Sequence, residues 1–357
     1  MPRNNEPEHD WEVRAYRPGD EHRLVELFEK VFGRSLSAEI WRWKLKARAS
    51  TLENVWLAVD DRDRPIFQYA GIPCRFLLDG IVRPLMLSVD TMTDPAFQRR
   101  GLLGSVGRQV YDGWAREGVS MVLGLPNERW GTRAEALGWR TLFPLRWRYL
   151  PLRPEALLAR RLGLSWLGKA SLLGTAWEGW RNLRRRNPPG VSTRRLFVAD
   201  SELDALWDDL RKETRFTMVR DRDWVQWRYL DHPELDYRVL MAETDGSPSA
   251  YAAYRIADLP SGRLGLVAEL TSLRVCEGAR RAVLNAVVDE MRAEGAEAVA
   301  TLSVPSTLLD RSLRRAGFVF TRGSFQVQYV PLDPRLPHAL LQDPNNWDLQ
   351  GGDFDVV

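Results

Sequence analysis

Hydrophobic and polar positions alternate along the first part of the chain in blocks that predict strands and helices in turn. Short apolar or alternating runs predict strands over residues 11–16, 55–59, 66–71, 85–93 and 121–125. A helix with acidic residues in its first turn is predicted from Pro18 to Phe32. Leu103, Val106, Val110 and Trp114 recur at helical spacing, and Gly118 ends that run. This order predicts a mixed α/β fold.

The second part of the chain repeats landmarks of the first. The interval is 17 residues from Gly101 to Gly118 and from Gly278 to Gly295, and 12 residues from Pro126 to Gly138 and from Pro305 to Gly317. An internal repeat of about one domain explains both intervals. Chance is the alternative, because glycines commonly end helices. With the break at 187–190, the repeat predicts domains over 1–150 and 191–333, a linker over 151–190 and a tail over 334–357.

Composition narrows the class of protein. The 357 residues favour two domains, and 44% apolar with 28% charged residues at a net charge of +3 argues against disorder. That mild charge also argues against nucleic acid as the main partner. Two distant cysteines and four scattered histidines predict no disulfide framework, no metal site and no Ser-His-Asp triad. The polar N-terminus and the lack of a long apolar run predict a cytoplasmic protein.

The loop QRRGLLG, residues 98–104, lies between the predicted strand 85–93 and the predicted helix. Its two glycines let the backbone approach a ligand closely, and the helix N-terminus attracts anions. Arg99 and Arg100 add positive charge. Neither a G-x-G-x-x-G nor a G-x-x-x-x-G-K-[ST] motif is present here. The loop therefore fits a phosphate cradle, and an ordinary basic turn is the alternative.

Residues 94–101, DPAFQRRG, resemble motif A of the GNAT acyl-CoA acyltransferases, [QR]-x-x-G-x-[GA] after a proline. Gln98 and Gly101 match, whereas Leu103 stands at the second small position with Gly104 next to it. The sequences LGLPN at 123–127 and LGW at 137–139 resemble the family's fifth strand with the asparagine after it and the end of the next helix. This resemblance covers residues 11–150. It implies two GNAT-like domains, each with a central, mostly antiparallel sheet flanked by helices.

The resemblance implies a tandem-GNAT N-acyltransferase that uses acetyl-CoA, or another acyl-CoA, and acts on an amine of a small molecule, an amino sugar or a peptide. Carried over by position, Met92 and Thr93 pair with the pantetheine arm. The phosphate cradle comprises Gln98, Arg99, Arg100, Gly101, Leu102, Leu103, Gly104 and Ser105. Asn127 lies where the acyl chain enters or, alternatively, caps a helix.

The second copy departs from this pattern. With Gly278 aligned to Gly101, Glu277 stands in place of Arg100 and Arg281 in place of Gly104. A carboxylate at the loop repels phosphate. The sequence therefore predicts one cofactor site per chain, in the first domain.

Asp90 is the candidate general base, since a carboxylate in an apolar strand is a stronger base than one in water. A hydrogen-bonded structural aspartate is the alternative, and Glu269 has the same standing in the second copy. The family's tyrosine acid falls at Ala134, so no acid is transferred, and Tyr111 and Tyr149 have no positional support. A non-catalytic acyl-CoA-binding protein and an aminoacyl-tRNA-dependent transferase are the rival functions, and the intact loop argues against the second.

Two segments of the sequence each allow two interpretations. Residues 151–190, rich in tryptophan and arginine, fit a helical hairpin at a membrane surface or a helix pair between the domains. Residues 345–355 carry three acids, two glycines and two aromatic residues. They fit a segment that folds back on the protein and holds a cationic or hydroxyl-rich substrate, or a disordered acidic tail.

Overall fold

The computed structural model describes residues 11–48, 50–126, 135–154, 188–260 and 262–354. Most of the predicted linker, 151–190, and the candidate Asn127 lie outside these residues. Both interpretations of the linker therefore stay predictions. Over the described ranges, no helix has the length and apolar composition needed to cross a lipid bilayer.

The described chain alternates strands and helices. The strands are β1 Glu12–Ala15, β2 Val55–Val59, β3 Pro65–Leu78, β4 Ile81–Thr93, β5 Met121–Gly124, β6 Arg140–Pro151, β7 Val191–Leu196, β8 Phe216–Met218, β9 Arg238–Thr244, β10 Ser247–Leu259, β11 Gly262–Ser272, β12 Ala298–Ser303, β13 Val319–Pro331 and β14 Trp347–Asp348. The helices are α1 Glu21–Phe32, α2 Ala38–Leu45, α3 Leu102–Arg116, α4 Ser201–Glu213, α5 Arg222–Val225, α6 Glu277–Ala293, α7 Leu308–Arg315 and α8 His338–Leu341. The predicted mixed α/β fold is confirmed.

Two compact units divide the chain. Unit 1 comprises Met1–Arg75, Arg83–Thr141 and Gln328–Leu336, and unit 2 comprises Phe76–Val82, Leu142–Val327 and Pro337–Val357. Each unit therefore contains pieces of chain that are distant in sequence. The predicted domains, in contrast, are each continuous in sequence, and their bounds stay a prediction.

Unit 1 is a mixed sheet in the order β1-β2-β3-β4-β5, followed by the carboxyl end of β13. Neighbouring strands β1, β2 and β3 are antiparallel, whereas β4 and β5 are parallel and are connected through α3. Helix α3 buries the stripe predicted from its spacing, with Val106, Val110 and Trp114 in the core. Burial of this apolar stripe, rather than helix propensity, is the main term that holds α3 against the sheet.

Unit 2 contains the order β6-β12-β11-β10-β9-β7. Strands β11 and β12 are parallel and are connected through α6, while β10 is antiparallel to both β9 and β11. Helix α6 buries Val283, Val287 and Met291 against this sheet. Gly265 on β11 makes room for that contact, because a Cβ there would lie 2.3 Å from Met291 Sδ.

The landmarks that indicated a repeat occupy similar conformations in the two units. Gly118 after α3 and Gly295 after α6 have φ of 83° and 87°, the left-handed conformation in which glycine ends helices. Gly138 and Gly317 likewise have φ of 83° and 95°. The first glycine of each copy differs. Gly101 precedes α3 at φ 85°, whereas α6 begins at Glu277 and so includes Gly278.

Candidate functional site

Strands β4 and β5 of unit 1 separate toward their carboxyl ends. They pair at only two positions, Met86 with Val122 and Leu87 with Leu123. Beyond these, β4 continues to Thr93 while β5 ends at Gly124. Ligand sites in sheets with parallel strands commonly form beyond the carboxyl ends of separating strands. The gap beside the end of β4 is therefore the first place to look for a site.

The loop after β4 has the backbone of an anion cradle. The carboxylate of Asp94 accepts a hydrogen bond of 3.0 Å from the N–H of Ala96 and starts a short turn. Arg99 and Gly101 then have positive φ, 64° and 85°. Helix α3 begins directly afterwards, so the N–H groups of its first turn have no carbonyl partner within the helix. Left-handed residues before a helix N-terminus orient several N–H groups toward one point.

A groove of about 1270 Å³ runs along the end of β4 and past this loop. Its volume exceeds the ~300–1,000 Å³ usual for small-ligand pockets, as a long ligand requires. A Cβ built on Gly101 has no atom within 4 Å, so the space in front of the loop is open. The groove is lined by Lys30, Val31, Phe32, Gly33, Thr91, Met92, Thr93, Phe97, Gln98, Arg99, Gly101, Leu102, Leu103, Gly104, Arg108, Ala136 and Leu137.

The charge of the groove is positive. Lys30, Arg99 and Arg108 are among its lining residues, and none of the described lining residues is acidic. Lys30 Nζ lies 2.7 Å from Asp94 Oδ2, outside the lining. Arg108 is four residues after Gly104, which brings both to the same face of α3. This arrangement favours an anionic ligand at the loop end of the groove.

Asp90 lies on β4 just before the lining residues, in an unusual backbone conformation. Its φ is 46°, and Gln68 Nε2 donates a 2.9 Å hydrogen bond to its carbonyl oxygen. Its carboxylate lies 2.6 Å from Lys44 Nζ of α2, and the two side chains are only 9% and 4% exposed. A left-handed aspartate costs about 1 kcal/mol unless its surroundings hold it. The contacts from Lys44 and Gln68 hold this one.

Thr91 is a buried polar group at the edge of the groove. Its Oγ1 has no hydrogen-bond partner among the described residues. A buried hydroxyl without a partner costs about 1–3 kcal/mol of free energy of unfolding. A ligand in the groove could supply that partner, which fits a polar ligand beside β4.

Two buried tyrosines lie behind the gap rather than in the groove. Tyr69 Oη and Tyr111 Oη are 2.5 Å apart, and Trp139 Nε1 donates to Tyr111 Oη. Burial raises the pKa of Tyr69 to about 12 and that of Tyr111 well above its usual value. Both phenols therefore stay protonated at neutral pH, and their hydroxyls serve as internal hydrogen-bond groups of the core.

The structure brings most of the predicted site residues together. Those that line the groove are Met92, Thr93, Gln98, Arg99, Gly101, Leu102, Leu103 and Gly104. Arg100 and Ser105 are exposed next to the lining residues, and Asp90 lies one residue before them. Sequence reasoning missed Lys30, Lys44, Thr91 and Arg108. The signal for Arg108 was its helical spacing from Gly104, whereas nothing in the sequence pattern connects Lys44 with Asp90.

The chain was compared with known proteins. Residues 12–141 match the model of a family described as an acetyltransferase (GNAT) domain. No curated protein sequence matches the chain. One solved structure of similar fold is a GCN5-related N-acetyltransferase from Anabaena variabilis, with a TM-score of 0.65 at 11% identity, over 90% of this chain and 73% of that one.

A second is a conserved protein of unknown function and probable N-acyltransferase from Enterococcus faecalis V583, with a TM-score of 0.64 at 13% identity, over 90% of this chain and 72% of that one. At sequence identities this low, the similarity to these two structures shows the fold alone. The family match identifies residues 12–141 as a GNAT acetyltransferase domain. The predicted family is thereby confirmed for this part of the chain.

Proposed function

We propose that unit 1 binds an acyl-CoA, with acetyl-CoA as the default donor, and transfers its acyl group to an amine. The acceptor is an amine of a small molecule, an amino sugar or a peptide. One observation carries the proposal: a single groove joins the end of β4 to the left-handed loop before α3. A long ligand with a phosphate group in its middle fits a groove with an anion cradle at one end.

The residues of the groove fit such a ligand. The open space at Gly101 and the first-turn N–H groups of α3 suit a pyrophosphate, and Arg99 and Arg108 supply charge. The edge of β4 from Thr91 to Thr93 suits an amide-bearing arm, since a strand edge pairs through main-chain groups. Leu103 and Leu137 line an apolar part of the groove.

In the reaction, the acyl group leaves the sulfur of the thioester for the amine nitrogen. The amine must therefore lose a proton and the sulfur must gain one. Asp90 is the proposed proton acceptor, directly or through one water. Lys44 then fixes the direction of its carboxylate through the 2.6 Å contact of Nζ with Oδ2. Backbone N–H groups near Thr93 are the proposed donors to the carbonyl oxygen.

We also propose that the chain is a tandem GNAT with this one acyl-CoA site. Both units contain a parallel strand pair connected by a helix, namely β4-α3-β5 and β11-α6-β12. Gly278 does not have the conformation of Gly101, and a Cβ there would lie 2.7 Å from Pro188 Cγ. The space that is open at Gly101 is therefore filled at its counterpart.

A non-catalytic acyl-CoA-binding protein is the second candidate. The observation that favours it is the ion pair itself, because Lys44 Nζ lies 2.6 Å from Asp90 Oδ2 and so occupies an oxygen that a substrate amine or a water would have to approach. Turnover of acetyl-CoA in the presence of an amine mixture distinguishes the two. Binding without turnover would support this second candidate.

Calorimetric titration with acetyl-CoA tests the cofactor site. Gly101→Glu puts a carboxylate where the phosphate is proposed, and about 3 kcal/mol of repulsion at ~5 Å lowers the affinity on the order of a hundredfold. Gly118→Glu is the matched control, since Gly118 has φ 83° and likewise no atom within 4 Å of a Cβ. An equal loss in both variants, or no binding by the unmodified protein, would overturn the proposal.

A further inference from the structure

Unit 2 contains a second pair of separating parallel strands, and that gap is filled by the chain itself. Strands β11 and β12 pair from Leu264–Ala298 to Val267–Thr301, after which β11 continues to Ser272 and β12 to Ser303. Residues 349–354, here called the tail segment, lie in this gap. Leu349, Gln350, Gly351, Gly352, Asp353 and Phe354 are all buried.

Gln350 connects the tail segment to both strands. Its side-chain oxygen accepts a 2.7 Å hydrogen bond from the N–H of Leu270 on β11. Its Nε2 lies 3.2 Å from Thr271 Oγ1. Its backbone forms an antiparallel bridge with Ser303 on β12. The side-chain amide thus accepts from the backbone of β11 and donates to Thr271 at the same time, and an apolar side chain can do neither.

Gly352 lets the segment approach the floor of the gap. A Cβ on Gly352 would lie 2.0 Å from Tyr229 Oη and 3.1 Å from the carbonyl oxygen of Ala268. A larger residue there would have to displace the hydroxyl of Tyr229 and also press on the carbonyl oxygen of Ala268. Arg228 Nε donates a 2.8 Å hydrogen bond to the carbonyl oxygen of Gly352 and so also fixes the main chain at this position.

Asp353 enters a buried charge cluster of the body of unit 2. Its Oδ2 lies 2.7 Å from Arg220, whose Nε lies 2.7 Å from Glu269 Oε1. All three side chains are at most 1% exposed. Tyr229 and Tyr251 also donate to Glu269. Among the described residues, Glu269 is therefore the one carboxylate partner of Arg220 that does not come from the C-terminal stretch. Asp353 and the partly exposed Asp348 both belong to that stretch.

We propose that the gap between β11 and β12 is a binding site for a peptide of sequence Gln-Gly-Gly-Asp folded in a 3-10 turn, occupied by the tail segment of the same chain. Three of the four positions have their own reason: an amide at Gln350 to pair with the strands, a glycine at Gly352 because of Tyr229, and a carboxylate at Asp353 for Arg220. The corresponding gap in unit 1 is an open groove. The same strand–helix–strand arrangement thus serves two different ligands.

The experiment cuts the folded full-length chain between the exposed residues Gln342 and Asp343, at an inserted protease site. Gel filtration then reports whether the fragment from residue 343 onward stays with the body. We expect the unmodified fragment to stay. Gly352→Ala prevents the close approach to Tyr229, and Asp353→Ala removes the charge-assisted hydrogen bond to Arg220. Each substitution should weaken binding of the fragment to the body at least about tenfold.

Asn345→Ala is the matched control, because Asn345 is exposed and, among the residues that the structure describes, its side-chain amide bonds to Asp343 of the same turn. It should be retained like the unmodified fragment. Where an uncut variant does not fold, the same substitution is placed in a synthetic peptide of residues 343–357 that competes with the unmodified fragment. Loss of the unmodified fragment at micromolar concentration would overturn the proposal, as would equal retention of all variants.

Discussion

Lys44 Nζ lies 2.6 Å from Asp90 Oδ2, and neither side chain is more than 9% exposed. This pair connects helix α2 to the point on β4 where the backbone turns left-handed, just before the strand reaches the groove. A buried ion pair contributes little to net stability, but removal of one partner leaves a buried charge. The pair therefore fixes the backbone of β4 at Asp90, and it contributes little to the net free energy of unfolding.

Lys44→Met should lower the free energy of unfolding by about 3–5 kcal/mol, because the carboxylate of Asp90 then lacks its cation. Lys44→Met with Asp90→Asn should recover most of this loss, since no buried charge remains and asparagine tolerates a positive φ. Urea unfolding measures all three proteins. A double variant as unstable as the single one would show that the charge is not the cause.

Asp90→Asn tests the proposed general base. Asparagine keeps the size and the left-handed backbone of Asp90 but cannot accept a proton. Loss of a general base lowers kcat by about 10²–10⁴-fold. The KM for acetyl-CoA should stay within about threefold, because Asp90 does not line the groove. A variant with normal kcat would assign Asp90 a structural role beside Lys44.

The loop residues of the site could be predicted from the sequence because their chemistry is local. Gly101 in QRRGLLG precedes a helix, a place where glycine readily adopts positive φ, and its φ is 85°. Leu103 and Gly104 follow on the first turn of α3 and also line the groove. The helical spacing from Leu103 to Trp114 likewise predicted the buried face of α3.

The remaining features depend on contacts between distant parts of the chain. Lys44 and Asp90 are 46 residues apart, and no period in either element points to the other. Residues 328–331 of β13 pair with β5 of unit 1, although the landmarks around Gly278 and Gly317 assign them to the second copy. Strand pairing of this kind is decided by packing of the whole sheet, which a one-dimensional pattern does not contain.

Arg108 provides a test of charge in the groove. Arg108→Ala should weaken acetyl-CoA binding by about 1–2 kcal/mol at low salt, and the loss should shrink as ionic strength rises. Arg116→Ala is the control, because Arg116 lies on the same helix and bonds only to the carbonyl oxygen of Asp112 among the described residues. Calorimetry at two salt concentrations measures both. Equal effects of the two variants would place the phosphate away from α3.

Asp353 should make the stability of unit 2 depend on pH. Burial raises the pKa of Asp353 to about 7, with Glu269 acting in the same direction and Arg220 against it. Asp348, Tyr251 and Arg228 also face this cluster. Between its ordinary value near 3.8 and about 7, the folded protein holds a proton that the unfolded chain has lost. The contribution of protonated Asp353 to the free energy of unfolding is therefore complete at low pH and declines as pH rises toward 7.

The free energy of unfolding changes through Asp353 by at most about 4 kcal/mol over those three pH units. Carboxylates whose pKa is lowered by arginines, such as Asp20 and Asp333, act in the opposite direction at the acidic end. The difference between the unmodified protein and Asp353→Asn isolates the Asp353 contribution. Urea unfolding at pH 5, 6, 7 and 8, followed through tryptophan fluorescence, should give a difference that shrinks up to pH 7 and is constant above it. A pH-independent difference would show that Asp353 stays ionised beside Arg220 throughout this range.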